Sequence, residues 1–251
     1  MSALNSKKVA LVTGGAVRLG RAVSLALGDS YLVAIHYNNS REQAESLSAR
    51  LPGSKTFCYD LTRPGSAAGL INDVTDHYGR LDLLVNSAAL FLSDSNDLAA
   101  LAKMKLLNVD APVRLIDEAA EYLAKTSGSI VNIADIAAMA PFSRYISYSK
   151  SKAALVDLTR RRALELAADS IRVNAVCPGI VLPAEREQGG KSEFSVDYKQ
   201  LESKIPLGKT GTPRDITDTV LFLAASRFIT GQIISVDGGR LLNYSGNNID
   251  S

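Results

Sequence analysis

Of 251 residues only two are cysteine, no basic cluster or stripe appears, and no apolar run reaches the length of a membrane span. Each shortage removes a class of function. Cys58 and Cys177 each close an expected strand. A lone pair in a chain this long reads as buried thiols in a reducing compartment, not as a disulfide framework. A formal net charge of +2 without a basic patch offers nucleic acid no footprint, so none is expected as a partner. Without some 18 consecutive apolar residues no bilayer crossing is expected. The apolar run in MSALNSKKVALVTGG meets the glycines too early for a signal segment. No metal site is expected, and the chain reads as cytoplasmic. The composition that remains, 46% hydrophobic and 22% charged, suits one large globular domain.

Short β-branched runs alternate with longer helical patterns throughout. Expected strands are 9–14, 31–37, 55–60, 81–87, 129–135, 171–179 and 232–239. Between them lie helical patterns that include Leu19–Leu27, Ser40–Leu51, Pro64–Tyr78, Pro112–Lys125, Ser147–Ala168 and Pro213–Ala225. Apolar strands separated by helices predict a parallel sheet covered on both faces. The expectation is a single Rossmann-type α/β domain over residues 1–251, with a seven-stranded, doubly wound parallel sheet. Two stretches break the rhythm: 90–107, of mixed character, and 180–211, rich in charge, Gly and Ser. The second follows a strand's C-terminal end, where ligands bind in such sheets, and reads as a substrate lid.

The first strand runs into Thr13-Gly14-Gly15-Ala16-Val17-Arg18-Leu19-Gly20 and then a helix. Glycines permit the tight turn, and the helix start offers free N–H groups to a pyrophosphate. Arg18 stands where a middle glycine is common and adds a fixed charge. The second strand ends in His36-Tyr37-Asn38-Asn39-Ser40-Arg41, with no acid at its tip. A carboxylate there would hold a ribose 2′-hydroxyl, whereas a 2′-phosphate needs cations and donors. Arg18, His36, Asn39, Ser40 and Arg41 offer them, so NADP(H) is favoured. A plainer account has Ser40 capping the next helix and Arg41 solvated. Asp60, at the third strand's tip, either bonds an adenine amino group or caps the turn that follows.

Tyr148 and Lys152 are four apart on an expected helix and share a face. A neighbouring ammonium favours the phenolate, which is expected to lower the tyrosine's pKa into the working range of an acid–base.

On these motifs the chain resembles the short-chain dehydrogenase/reductases over nearly its whole length. The matching pieces are TGGAVRLG, Asp60-Leu61, Asn86-Ser87-Ala88-Ala89, Asn108, Tyr148 with Lys152, Asn174, Cys177-Pro178-Gly179 and Asp237-Gly238-Gly239. The resemblance implies that Tyr148 is the acid–base and that Lys152 also holds the nicotinamide ribose. It implies that Asn108 helps wire a proton relay, and that Gly14, Leu19, Gly20, Tyr37, Asn38, Leu61, Asn86, Ser87, Ala88, Pro178 and Gly179 line the cofactor. It also implies a homotetramer. Ser87 and Ala89 depart from the usual Asn-Asn-Ala-Gly.

The fifth strand departs further. Thirteen residues before Tyr148, where most members carry a serine, stands Asp135. An ionised carboxyl repels a developing alkoxide, whereas a protonated one donates to a ring nitrogen. The Asp135–Tyr148–Lys152 set, Arg18, the His36–Ser40 tip and Phe91 resemble the pteridine reductases and dihydromonapterin reductases. That likeness implies a pterin or folate-like substrate stacked on Phe91 and touched by Arg18, Asp135 and Tyr148. Alternatives are a core role for Phe91 and a structural one for Asp135. At the level of function they are a carbonyl (3-ketoacyl) reductase, an enoyl reductase using Tyr145 seven before Lys152, or a non-catalytic NADP-binding regulator.

Overall fold

The structure, a computed structural model, describes residues 7–181 and 198–243. Its strands are β1 (Lys8–Val12), β2 (Tyr31–Tyr37), β3 (Lys55–Cys58), β4 (Leu83–Asn86), β5 (Ser129–Ile133), β6 (Arg172–Pro178) and β7 (Ile233–Val236). All pair in parallel, in the order β3-β2-β1-β4-β5-β6-β7. The helices are α1 (Arg18–Leu27), α2 (Arg41–Ser48), α3 (Ser66–Tyr78), α4 (Leu98–Lys105), α5 (Ala111–Ala124), α6 (Ile146–Glu165), α7 (Tyr198–Glu202) and α8 (Pro213–Ala225). This is the expected single-domain Rossmann-type α/β fold.

Side chains alternate across the sheet, so each strand feeds two cores. Val9 and Leu11 of β1 pack with Leu32 and Ala34 of β2 against α3 and α5. Ala10 and Val12 pack with Val33 and Ile35 against α1, α2 and α8. The strand order reverses between β1 and β4, and the ends of these two strands open the crevice in which such sheets bind ligands.

Several elements stop short of their expected bounds because side chains take over backbone bonds. β4 begins at Leu83, after Asp82, whose carboxylate accepts from Val9 N at 2.8 Å while Arg80 pairs with it. β7 ends at Val236, where the Asp237 carboxylate accepts from Gly239 N and Leu241 N and turns the chain. Stretch 90–107 contains α4, capped by Asp97, and runs into a π-helix over Leu106–Asp110. Cys177 is buried as expected, but Cys58 is exposed, because β3 is an edge strand. Of the expected lid, 182–197 lies outside the described residues; Val181 bridges Gly211 beside the sheet.

Candidate active site

Between β1 and α1 the chain turns within the reach of a few bonds. Gly14 adopts φ +62°, and a Cβ there would lie 3.0 Å from Ala88 Cα. A Cβ on Gly20 would collide with the Gly14 carbonyl oxygen. Arg18 itself sits at φ +49°, a conformation glycine adopts freely and other residues at a cost of about 1–2 kcal/mol. The common glycine at this place thus matches the backbone, and the arginine is kept against strain. Thr13 Oγ1 accepts from Ser87 N at 3.0 Å and Ala88 N at 3.1 Å, tying the turn to the end of β4.

His36 corrects one expectation. Its Nδ1 accepts from Gly14 N at 3.0 Å, so Nε2 carries the proton and donates to Tyr59 O at 3.0 Å. Burial pushes its pKa down to about 4. The ring lies beneath the turn as a neutral strut with both nitrogens engaged, and it has no donor left for a 2′-phosphate. The signal for this was present: His36 falls within an apolar strand, one residue short of its end.

Asn38 and Asn39 line the cleft; Tyr37, Ser40, Asn86, Asn108, Phe91 and Gly179 stand outside its lining. Ser40 occupies the N-cap of α2 but makes no side-chain cap bond. Arg41 pairs with Glu45 at 2.8 Å on the surface. Asp60 both lines the cleft and caps its turn, accepting from Thr62 N at 3.0 Å and Thr62 Oγ1 at 2.6 Å. Those bonds hold its carboxyl below the usual range. Leu61, Tyr59, Thr62, Lys103 and Leu107 complete this wall. Sequence reasoning missed Lys103 and Leu107, since only packing brings α4 and the π-helix over the cleft.

At the other end Asp135, Tyr148, Lys152 and Pro178 converge in the same cleft of about 440 Å³, within the range of small-molecule sites. Asp135 follows β5, and Oδ1 accepts from Ala137 N at 2.8 Å. Tyr148 donates its hydroxyl to Asp135 Oδ2 at 2.9 Å. Lys152 Nζ donates to Ile133 O at 2.9 Å and lies 5.7 Å from the centre of the Tyr148 ring. Burial raises the Asp135 pKa. Burial, and then the Asp135 charge and bond, raise the Tyr148 pKa above its ordinary value. The expected lowering of Tyr148 by Lys152 is therefore overturned: desolvation, and then the adjacent carboxyl, set the direction. The lysine's own pKa falls to about 8 on burial. Tyr148 here is a phenol, loaded as a proton donor.

Asn108, buried in the π-helix, clamps the next segment. Its Oδ1 accepts from Leu90 N at 2.8 Å, while Nδ2 donates to Leu90 O at 2.8 Å and to Ser151 Oγ at 3.1 Å. π-turns of this kind recur at functional sites. Asn86 Nδ2 donates to Asn132 Oδ1 at 2.9 Å, which bridges β4 to β5. Phe91 is not a core aromatic: it is 47% exposed. It stacks on Tyr145 at 4.6 Å and meets the Tyr148 ring edge-on at 4.6 Å. Gly179 lets β6 approach β7, since a Cβ would lie 2.7 Å from Asp237 Cα.

Known proteins agree with this architecture. A family profile described as Enoyl-(Acyl carrier protein) reductase matches residues 19–240. The 3-oxoacyl-[acyl-carrier-protein] reductase FabG of Thermotoga maritima is 32% identical over 250 aligned residues, covering 94% of this chain and 98% of its own. Pteridine reductase 1 of Leishmania tarentolae is 35% identical over 284, covering 92% and 95%. A solved structure, ElxO with NADP bound, superposes with a TM-score of 0.84 at 32% identity, covering 94% of this chain and 99% of that one. The chain belongs to the short-chain dehydrogenase/reductase family of NAD(P)-dependent oxidoreductases.

Proposed function

We propose that the protein reduces a C=N bond of a pterin or folate-like ring, with NADPH as the hydride source. One observation carries the reading: a buried carboxyl, Asp135, shares a hydrogen bond with the Tyr148 phenol inside the cleft. The cradle fits a dinucleotide: Gly14 and Gly20 let the turn pack closely on itself and on Ala88, and Gly14, Arg18, Leu19 and Gly20 all line the cleft. A 2′-phosphate would meet Asn38, Asn39 and Arg18 in the lining, with the Ser40 hydroxyl next along the chain, and no carboxylate at the β2 tip opposes it. ElxO's bound NADP supports the same choice of cofactor. When bound, the nicotinamide supplies a hydride to a ring carbon.

The chain's own residues supply the proton and the orientation. Tyr148, kept as a phenol chiefly by burial, holds a proton for the adjacent ring nitrogen. Asp135, with its pKa raised, is neutral more readily than an ordinary aspartate and in that form donates to a second nitrogen. Lys152, held by Ile133 O, places positive charge under the ring of Tyr148 and so steadies the phenolate left after transfer. Phe91, half exposed at the margin of the cleft and stacked on Tyr145, leaves aromatic surface beside Tyr148 for a planar ring. The similarity to pteridine reductase 1 supports this assignment.

A second reading, reduction of a 3-oxoacyl carrier, is supported by the similarity to FabG. It sets a carbonyl oxygen against Tyr148 and Asp135, where a neutral carboxyl also donates but the second contact it offers to a ring nitrogen goes unused. Enoyl reduction through Tyr145 is less favoured, since Tyr148 and not Tyr145 shares the cleft with Lys152 and Asp135. The deciding experiment follows NADPH absorbance with dihydrobiopterin, dihydromonapterin, dihydrofolate and a 3-ketoacyl thioester. Turnover on pterins alone supports the proposal. Turnover on the thioester alone replaces it with the carrier reading, and NADPH binding without any turnover replaces both with a regulator.

A further inference from the structure

Helix α6 carries both Tyr148 and Lys152, yet its N-cap residue, Tyr145, provides no side-chain cap. Two of its first-turn amides are instead satisfied from another part of the chain. Asp94, in the loop that follows β4, accepts from Ile146 N through Oδ2 at 2.7 Å and from Ser147 N through Oδ1 at 2.9 Å. Its own N–H donates to Arg144 O at 2.9 Å. A carboxylate at this place also meets the positive end of the helix dipole.

Three residues earlier in the same loop stands Phe91, whose ring lies against Tyr145 and Tyr148. At the loop's start, Leu90 is gripped by Asn108. Between Leu90 and the capping carboxylate lies a span of three residues fastened at both ends, with the aromatic ring directly after Leu90. Nothing else in the span binds it to α6 through charge.

We propose that Asp94 is a positioning residue: it latches the Phe91 segment onto the first turn of α6, so that the aromatic wall and the proton donor hold one fixed separation. The inference rests on Phe91 and Tyr148 facing the substrate, as proposed above, and extends it to a residue that touches no substrate. The physical reason is cooperative. Removing the carboxylate frays the turn that bears Tyr148 and releases the wall that faces it. An ordinary helix cap would do only the first.

The test is a double-mutant cycle on Asp94→Ala and Phe91→Ala, using any acceptor the parent turns over. Losing a cap of this kind corresponds to about a fivefold effect. The expected result is a kcat/KM for the acceptor about fivefold lower in D94A, with the Kd for NADPH within about twofold of the parent. In the F91A background the same change should lower kcat/KM by only about twofold, because the fraying of the first turn remains but the wall it positions is gone. Asp94→Asn keeps one acceptor oxygen and should recover part of the loss; it also serves if D94A does not fold. A parental kcat/KM in D94A, or its full effect on top of F91A, overturns the proposal. Amide exchange at Ile146 and Ser147 gives a readout that needs no turnover. It should accelerate in D94A, and unchanged exchange sinks the latch whatever the substrate is. Failure of the pterin reading shows separately, as an active parent that ignores pterins.

Discussion

Asparagine at position 135 keeps the size of the aspartate and one of its acceptors while removing the acid. In the structure Oδ1 accepts from Ala137 N at 2.8 Å and Oδ2 from Tyr148 at 2.9 Å. The amide oxygen of Asp135→Asn keeps the first bond. Its NH₂ then points at Tyr148 as a donor, and the phenol must turn its hydrogen elsewhere. Losing a bond to a charged acceptor costs about 1.5–3 kcal/mol, and removing a buried carboxylate returns a comparable amount. Stability should therefore change little, within about 4 °C in Tm for a domain of this size. Turnover has no such compensation. With the NH₂ engaged by Tyr148, the O–H that a neutral Asp135 aims at the ring is lost. A donor so placed is worth about 3 kcal/mol, on the order of 100-fold in kcat. Single-turnover NADPH oxidation with a dihydropterin, beside a calorimetric scan and an NADPH titration, separates these quantities. The expected outcome is a kcat lower by about 100-fold with Tm and NADPH affinity nearly unchanged. Parental kcat in the variant, or a loss that follows NADPH affinity instead, refutes the role given to the carboxyl.

Lys152 should cost stability where it serves chemistry. Its pKa falls from 10.5 to about 8, so the stability present above 10.5 is lost as pH drops through about 8. Lys152→Met should be more stable at neutral pH by about 3 kcal/mol and inactive, with urea unfolding across pH as the check. His36 acts on the acid side: its pKa falls from 6.5 to about 4, so its contribution is present above 6.5 and disappears as pH falls through about 4. Unfolding free energies of His36→Gln should lack that acid-side loss of up to about 3 kcal/mol; parallel curves for the two proteins would contradict the buried neutral strut. Ser40→Ala should cost less than about 0.5 kcal/mol, since the hydroxyl makes no cap bond, yet reduce the preference for NADPH over NADH about tenfold. A destabilised variant with unchanged cofactor preference would identify Ser40 as a cap after all.

The strand positions, the glycine turn and the Tyr148–Lys152 pair are all legible in the sequence, because each depends on short-range order. Alternating apolar residues need a two-faced core, glycine alone enters a left-handed turn freely, and a separation of four brings side chains onto one helix face. What the chain's order left open was decided by neighbours distant in sequence. Desolvation around Tyr148 and Asp135 depends on how many groups pack over them, and it reversed the pKa direction that the lysine spacing suggested. The engagement of both His36 nitrogens needed Gly14 and Tyr59 brought to it from two other strands. Lys103 entered the cleft wall, and Asp94 reached α6, only because the segment after β4 folds back over the sheet's C-terminal edge. Residue types and local spacing thus carry the list of chemical groups, while burial, protonation and long-range caps belong to the packed molecule, since each is a sum over neighbours that no linear order specifies.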